Sequence, residues 1–216
     1  LGRCVFSRMI YGASRTIFSS LILVSLMFVF GSFIGIISGY IGGLFDNIVM
    51  RIVDVFLAFP SLVLAIAVAG VLGGGMINAM IAIGVIGWTK YARLARGEVL
   101  EIKEETFIKA ARLSGNSSMY IVFKHIMPRV LSTLIVTASL DIGTTIMEMA
   151  ALSFLGLSSP LPIPEWGAMM NEGKSMIQFA PWITIAPGIA IFIIVILFNL
   201  LGDVVHDMLD PKQKEY

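Results

Sequence analysis

Two long stretches without a charged side chain constrain this chain more than any other feature. No Asp, Glu, Lys or Arg occurs between Arg15 and Asp46, and none occurs between Lys174 and Asp203. About 20 consecutive apolar residues are enough for a helix to cross a lipid bilayer. Charged residues make up 13% of the 216 residues, whereas soluble domains carry about 25%. The sequence therefore predicts an all-α integral membrane protein, built as a polytopic helical bundle.

Five membrane spans are predicted from the apolar runs and their interruptions. The second is expected to begin with an interfacial half and to bend at Pro60, and Pro187 is expected to bend the start of the fifth. The predicted spans are Ile17–Tyr40, Phe45–Val71, Asn78–Leu94, Val130–Ala151 and Trp182–Leu201. Ahead of them, residues 1–16 mix three arginines with apolar side chains, which predicts an amphipathic helix in the membrane interface.

One transmembrane domain is expected to take up the whole chain, residues 1–216. Its predicted parts are an interfacial helix over 1–16, spans over 17–104, a polar loop over 105–128, and the last two spans with the tail over 129–216. Within the first span, Gly31, Gly35 and Gly39 recur every fourth residue and share one helical face. Small residues let membrane helices approach closely, so this face is predicted to pack against another helix. A role in lining a pathway is the alternative for these glycines.

The longest polar and basic segment is Thr106–Pro128. Helix-forming residues lie on both sides of Gly115, which tolerates the left-handed backbone that ends a helix. We expect a helix, a glycine turn and a second helix over 117–126 that is capped by an Asn or Ser at 116–118 and stopped by Pro128. On spacing alone, an ordinary solvated loop between two spans is the simpler interpretation.

Two carboxylates fall inside the predicted fourth span. Asp141 and Glu148 are seven residues apart, close to two helical turns, so they share a face. Ionisable groups within a bilayer are costly and usually face the bundle interior or a watery cavity. One interpretation is that they line a translocation path. The other is that they pair with a polar group on a neighbouring helix, and both stay open.

Basic residues are distributed unevenly between the connections. Eight of the 15 Lys and Arg residues lie between Lys90 and Arg129 inclusive, whereas residues 153–181 contain a single one, Lys174. The positive-inside rule therefore places 105–128 in the cytoplasm and 153–181 outside. Counting spans back from there puts Arg3, Arg8 and Arg15 on the outer side, against the same rule. The larger asymmetry around 105–128 takes precedence.

Several function classes are excluded by what the sequence lacks. A net charge of +1 argues against binding to nucleic acid, which needs a strongly basic face. Cys4 is the single cysteine, and the two histidines, His125 and His206, are far apart, so no metal site is expected. Neither a P-loop nor an HExxH motif occurs. The chain is therefore not expected to be an enzyme or to bind a cofactor by itself.

Five short motifs are spread over nearly the whole chain. They are LGR…SR…YG at the start, Ala110-Ala111…Gly115…Ile121…His125–Pro128 in the polar segment, LSFLGL from Leu152, PEWGAMM from Pro164, and FNLLGDVVHDMLDPK from Phe198. Together they resemble the permease subunits of ATP-binding-cassette (ABC) importers, in the branch for dipeptides, oligopeptides and nickel. The last motif departs from the family at Val205 and His206, where a variable residue and an arginine are usual. His206 is expected to be an exposed interfacial histidine.

In that family the second motif is the EAA loop, a coupling helix that sits in a groove of the partner ATPase. The resemblance implies that the coupling residues are Lys109, Ala110, Ala111, Gly115, Ile121, His125 and Pro128. The acid that gives the loop its name falls at Lys109, so no acidic contact is implied there. Glu148 resembles a position that the family also fills with an acid, whereas Asp141 does not.

The resemblance also implies a fold, partners and a location. The fold is that of a type I ABC importer permease, with a sixth span expected before Leu1. The implied partners are a second permease subunit, two ATP-binding subunits that hold ATP and Mg, and an extracytoplasmic substrate-binding protein. The location is the bacterial inner membrane, with the coupling loop and the C-terminus in the cytoplasm.

The substrate and one alternative function stay open. Nickel or a nickel chelate, dipeptides and oligopeptides all fit the resemblance, and the LGRC and PEWGAM runs look slightly more like the nickel branch. A self-contained channel or secondary transporter is the alternative. Secondary transporters often show an internal repeat with broken helices, and no convincing repeat is found.

Overall fold

The computed structural model describes residues 4–158 and 163–209, and these residues form α-helices joined by short turns. The helices are α1 (Val5–Ile41), α2 (Gly43–Leu57), α3 (Ser61–Leu72), α4 (Met76–Lys103), α5 (Thr106–Leu113), α6 (Ser118–Ile121), α7 (Met127–Phe154), α8 (Trp166–Gly173) and α9 (Trp182–Leu209). A π-helical turn, Val122–Ile126, joins α6 to α7. The all-α prediction is confirmed for the described residues.

The most extensive helix pair in the bundle is formed by α1 and α4. Gly31, Gly35 and Gly39 lie on the contacting face of α1, and a Cβ at any of them would overlap or crowd atoms of α4. Those atoms belong to Trp88, Tyr91, Ala92, Ala95, Arg96 and Val99. The glycines therefore set the distance between the two helices, which confirms the predicted packing face. We call this contact the glycine seam.

The chain bends sharply between α2 and α3. Pro60 immediately precedes α3, and the axes of the two helices differ in direction by 88°. Because proline has no N–H and restricts the residue before it, a helix ends at such a position. The predicted bend at Pro60 is confirmed.

A buried carboxylate fixes α2 against its neighbours. Asp46 on α2 accepts hydrogen bonds from Nε and Nη2 of Arg96 on α4, both at 2.6 Å, and from Oγ of Ser38 on α1, also at 2.6 Å. Hydrogen bonds in which both groups are charged are among the strongest in proteins. This network holds α1, α2 and α4 together at one point.

By length and hydropathy, three helical stretches within the described ranges are able to cross a membrane. They are Val5–Ile41, Ser118–Phe154 and Trp182–Leu209, and the bent pair of α2 and α3 makes a fourth if it counts as one span. The sequence predicted five. The difference lies in α4, which forms as a helix but has a shorter apolar stretch, because Lys90 and Arg93 fall within one bilayer length of its start.

The predicted interfacial helix over 1–16 does not form a separate element in the described residues. From Val5 the segment runs without a break into the first span as a single helix, α1. No proline interrupts it, and Gly12, its one glycine within 5–16, keeps helical geometry against the Trp166 ring of α8. Arg3 lies outside the described residues.

The start of α1 is attached to α8. The guanidinium of Arg8 donates two hydrogen bonds to the carboxylate of Glu172, at 2.6 and 2.7 Å. Trp166 of α8 also donates from Nε1 to the carbonyl oxygen of Met9, at 2.9 Å. The first turns of α1 therefore lie at the same end of the bundle as the connection 153–181. The count of predicted spans had placed Arg8 and this connection on the same side of the membrane.

The predicted stop at Pro128 is wrong. The second helix of the polar segment continues through Pro128, which occupies the first turn of α7. A proline ring normally crowds the carbonyl four residues earlier and removes a helical hydrogen bond. Here the π-helical turn widens the helix just before it, and the N–H of Met127 reaches back to the carbonyl of Val122. The wider turn makes room for the ring.

Candidate functional site

The polar segment folds as the sequence predicted up to its glycine. After α5 ends, Gly115 adopts a left-handed backbone with φ of +81°. The N–H of Asn116 then donates to the carbonyl oxygen of Ala111 at 3.3 Å, and the N–H of Gly115 donates to that of Arg112 at 3.0 Å. These bonds satisfy the last carbonyls of α5 in the manner of a Schellman motif. Ser117 caps the next helix, because its Oγ accepts from the N–H of Tyr120 at 3.3 Å.

Three isoleucines attach the inner side of this segment to the helical core. Ile108, Ile121 and Ile126 are 0%, 1% and 0% exposed. His125 lies between two aromatic rings, with centroid distances of 6.0 Å to Phe107 and 5.7 Å to Tyr120. Of the predicted coupling residues, Ile121 is therefore buried against the core, whereas His125 is half-buried between the two rings.

The outer side of α5 is open. Lys109, Ala110 and Leu113 are exposed, and Leu113 is 90% exposed although it is a large apolar residue. No atom of the described chain lies within 4 Å of a Cβ built on Gly115. We call Lys109, Ala110 and Leu113 the exposed face of α5. Ala110 and Leu113 make this face apolar. Its one charged member is Lys109, whose ammonium lies 3.1 Å from the carboxylate of Glu104.

Two more of the predicted coupling residues, besides Ile121 and His125, lie off this face. Ala111 is half-buried and packs against the core. Pro128 is exposed, but it lies in α7, beyond the π-helical turn. The structure therefore separates the seven predicted residues into those that face outward and those that support them.

The segment also contacts the end of α1. The guanidinium of Arg112 lies over the ring of Tyr40, 6.0 Å from its centroid. The ammonium of Lys103 lies over the same ring at 5.8 Å and donates to the carbonyl oxygen of Tyr40 at 2.9 Å. Cations over an aromatic face are attracted by its negative potential. Tyr40 is therefore a point at which α5 and α4 meet the end of α1.

The two intramembrane carboxylates line one cavity of about 360 Å³ between α1, α3, α4 and α7. Asp141 is buried, and its Oδ1 accepts from Nζ of Lys90 on α4 at 2.5 Å. Glu148, seven residues later on α7, is half-buried and accepts from Oγ of Ser61 on α3 at 3.4 Å. The structure thus brings both predicted pathway residues into one cavity and gives them different partners.

Lys90 and Ser61, the hydrogen-bond partners of the two carboxylates in this cavity, were missed by the sequence analysis. Lys90 was counted among the basic residues of the cytoplasmic side, although it falls within the predicted third span. A lysine at bilayer depth is as expensive as a carboxylate and requires a partner. The position of Lys90 inside a predicted span could therefore have indicated an ion pair with Asp141 or Glu148.

The connection between α7 and α9 contains a second feature that the sequence did not reveal. Glu165, 1% exposed, caps α8 by accepting from the N–H groups of Gly167 and Ala168 at 2.9 and 3.1 Å. Burial raises the pKa of the Glu165 carboxyl, while the two N–H donors favour its ionised form. This cap begins the PEWGAMM motif. The sequence also predicts that Pro160, Pro162 and Pro164 keep this loop extended, but Pro160 and Pro162 lie outside the described residues.

The candidate metal ligands and the C-terminal residues do not form a further site in the described part of the chain. Across 4–158 and 163–209, His, Cys, Asp and Glu side chains form no group of three or more able to hold a metal ion. His206 is exposed, as expected, with Nδ1 3.6 Å from Oδ1 of Asp207. The end of the C-terminal motif, residues 210–212, lies outside the described residues.

An all-helical bundle with apolar spans, a cavity containing charges and an exposed amphipathic segment is the architecture of a polytopic membrane protein. Residues 31–215 match the family described as the binding-protein-dependent transport system inner membrane component. The chain belongs to this family and is a permease component of an ABC transport system.

Two relatives, both permease proteins of transport systems, are similar in sequence over almost the whole chain. The dipeptide transport system permease protein DppC of Alkalihalophilus pseudofirmus is 43% identical over 213 residues, which are 99% of this chain and 70% of that protein. The glutathione transport system permease protein GsiD of Pectobacterium atrosepticum is 44% identical over 214 residues, 99% of this chain and 71% of that protein.

Solved structures show the same fold. A chain of the MetNI methionine ABC transporter in an inward-facing conformation superimposes with a TM-score of 0.75 at 19% identity, covering 97% of this chain and 100% of that one. A chain of an amino acid ABC transporter gives a TM-score of 0.63 at 14% identity, with 94% of each chain covered. At these identities the comparison supports the fold of ABC importer permeases and nothing finer.

Proposed function

We propose that this chain forms the translocation path of an ATP-driven importer for short peptides, and that the segment Thr106–Pro128 couples it to a separate ATPase. The observation that carries the proposal is the two-sided construction of this segment. Its inner side is fixed to the core by three fully buried isoleucines, whereas its outer side presents small and apolar residues without a partner in the described chain. A segment built in this way is suited to receive a force from another protein.

The proposed mechanism follows from these attachments. The exposed face of α5 docks in a groove of the ATPase, where Ala110 permits close approach. When nucleotide binding draws two such segments together, α5 moves with its groove and displaces α1 through the contact of Arg112 with Tyr40. The bundle then changes between inward- and outward-facing states, a population shift driven by the partner. Asp141 and Glu148 line the path that opens and closes.

The proposed substrate is a di- or oligopeptide. The names of the relatives state dipeptide and glutathione transport, and both compounds are peptides. The slight resemblance to the nickel branch finds no support in these names, and nickel is not part of the proposal. Membership of a permease family likewise sets aside the self-contained channel or secondary transporter.

The proposed assembly is that of the family. It contains a second permease subunit, two ATP-binding subunits that hold ATP and Mg, and an extracytoplasmic binding protein. The chain would form a single transmembrane domain of the bacterial inner membrane, with α4 as a fifth span. The segment Thr106–Pro128 and the C-terminus would face the cytoplasm, and residues 153–181 would face outward.

Affinity purification of the tagged chain from native membranes tests the proposal. The chain should co-purify with an ATPase and a second permease, and the reconstituted assembly with its binding protein should import a dipeptide only when ATP is supplied inside. Nickel ions should neither be imported nor compete. Purification of the chain without an ATPase, or peptide uptake without ATP, contradicts the proposal.

Cysteine labelling tests the proposed orientation separately. In a Cys4→Ala background, Lys174→Cys should react with an impermeant maleimide in intact spheroplasts, whereas Lys124→Cys should react only after lysis. The reverse pattern overturns the orientation, whatever the substrate proves to be.

A further inference from the structure

The cavity between α1, α3, α4 and α7 holds three charged side chains to which the proposed coupling mechanism assigns no binding partner. Lys90, Asp141 and Glu148 line it together with Ser61 and Thr144, and its remaining walls are largely apolar. Charged groups at this depth are retained at a cost, which marks them as candidates for function. The question is which chemical group each of them is able to receive.

Lys90 has unused binding capacity. Its ammonium has three N–H donors, and the structure shows one hydrogen bond, to Asp141. Its side chain remains 54% exposed, whereas that of Asp141 is 12% exposed. The lysine can therefore keep Asp141 and still accept a second anionic partner from the cavity.

Glu148 lacks a cationic partner. Among the described residues, no Lys or Arg nitrogen lies within ion-pair distance of it, and its hydrogen bond comes from the neutral hydroxyl of Ser61 at 3.4 Å. A half-buried carboxylate of this kind has room for a cation that is not part of the chain. The cavity thus offers an unmatched acid at one end and a lysine with free donors at the other.

The separation of these two groups corresponds to a short peptide. Asp141 and Glu148 are seven residues apart, which is about 10 Å along a helix, and Lys90 is bound at the Asp141 end. Extended peptides span about 3.3–3.6 Å per residue, so a dipeptide reaches about 7 Å and a tripeptide about 10 Å. For a dipeptide the remainder is covered by the hydrogen bond at each end, which is about 2.8 Å long between charged groups. A cavity of about 360 Å³ falls within the usual size of small-ligand sites.

We propose that this cavity binds short peptides by their two charged ends, with Glu148 receiving the α-ammonium group and Lys90 the α-carboxylate. The inference rests on the proposed function and assigns a recognition site within it. Reading both ends makes recognition independent of the side chains between them, which face apolar walls that include the adaptable Met27. It also discriminates against peptides in which either end is blocked.

Protection of a cavity cysteine tests the site without the binding protein. The variant Thr144→Cys, made in the full chain with Cys4→Ala, is purified with its partner subunits, and its reaction with a water-soluble maleimide is followed. Dialanine should slow the reaction. N-acetyl-dialanine and dialanine amide should need at least about tenfold higher concentration, because each has lost one charge-assisted contact. Ser175→Cys, at an exposed position between α8 and α9, is the matched control and should react at the same rate throughout.

Removing each charge should erase one discrimination and leave the other. With Lys90→Met, dialanine and its amide should protect equally, and with Glu148→Gln, dialanine and its N-acetyl form should do so. Because Lys90→Met leaves Asp141 unpaired, the double variant Lys90→Met/Asp141→Asn provides the same test without an orphan charge. Equal protection by free and blocked peptides before either change, or no protection at all, overturns the inference. The proposed function would not be affected by that result, because ATPase co-purification and ATP-dependent uptake test it independently.

Discussion

The glycine seam and the Gly115 turn use the same amino acid for different reasons. In the seam, Gly35 has a helical backbone, and a Cβ would overlap the carbonyl oxygen of Ala92. At Gly115 the space is empty, but the backbone has φ of +81°, which side chains tolerate poorly. One glycine is required by its neighbours and the other by its own conformation.

This difference distinguishes a rigid part of the molecule from one that is free to meet a partner. The seam fixes α1 against α4 by direct contact, so a change there must affect the whole bundle. The Gly115 turn supports a surface that the rest of the described chain leaves uncovered. Changes there should alter what the chain binds more than whether it folds.

Filling the seam should have the largest effect. Gly35→Leu places a side chain where the α4 backbone lies, and backbone does not give way as a flexible side chain does. Overpacking of this kind should cost more than about 3 kcal/mol, at or beyond the upper end for core insertions. We expect little monodisperse protein in detergent. Gly70→Leu on α3, where no atom lies within 4 Å, is the control and should purify like the wild type. Normal yield and thermal stability of Gly35→Leu would show that the seam is not rigid.

Truncating a buried side chain on the inner side of the segment Thr106–Pro128 should have the next largest effect. Ile108→Ala removes a fully buried side chain beneath α5, and such truncations cost about 2–5 kcal/mol. We expect a value near the lower end, because α5 lies at the edge of the core and is able to relax. Thermal unfolding in detergent should show the loss, and ATPase co-purification should fall with it. Unchanged stability would mean that the segment is not anchored to the core.

Straining the turn should have a smaller and local effect. Gly115→Val forces a β-branched residue into the left-handed region, at a cost of about 1–2 kcal/mol. Because the surrounding space is empty, the strain should stay within α5 and α6, and membrane insertion should be normal. ATPase co-purification and transport should fall together. Gly115→Asn is the control, since asparagine adopts this backbone more readily than other side chains. Equal behaviour of the two variants would remove the conformational argument for Gly115.

Much of this architecture could be predicted from local rules. The uncharged stretches predicted the apolar helices, glycine at every fourth residue predicted the packing face of α1 but not its partner, and Pro60 marked the 88° bend. The end of α5 was predictable because Gly115 satisfies both the conformation and the hydrogen bonds of a helix terminus. Each of these features depends on residues close in sequence.

The missed features depend on contacts between distant residues or on compensation within the helix. Pro128 looked like a stop because the π-helical turn that accommodates it has no sequence signature of its own. Lys90 looked cytoplasmic until its ion pair with Asp141, 51 positions away, placed it in the cavity. The continuation of residues 5–16 into the first span was missed, because the partner of Arg8 is Glu172 in the distant helix α8.

The central claim is that the exposed face of α5 is the contact with the ATPase, and Ala110→Trp tests it most directly. Ala110 is exposed, so the new side chain should change thermal stability by no more than about 0.5 kcal/mol. Ser175→Trp, an equally large insertion at an exposed position at the far end of the bundle, is the control. The account predicts that Ala110→Trp inserts and unfolds like the wild type but purifies without ATPase, whereas Ser175→Trp retains it. Retention of the ATPase at the wild-type ratio by Ala110→Trp would contradict the account.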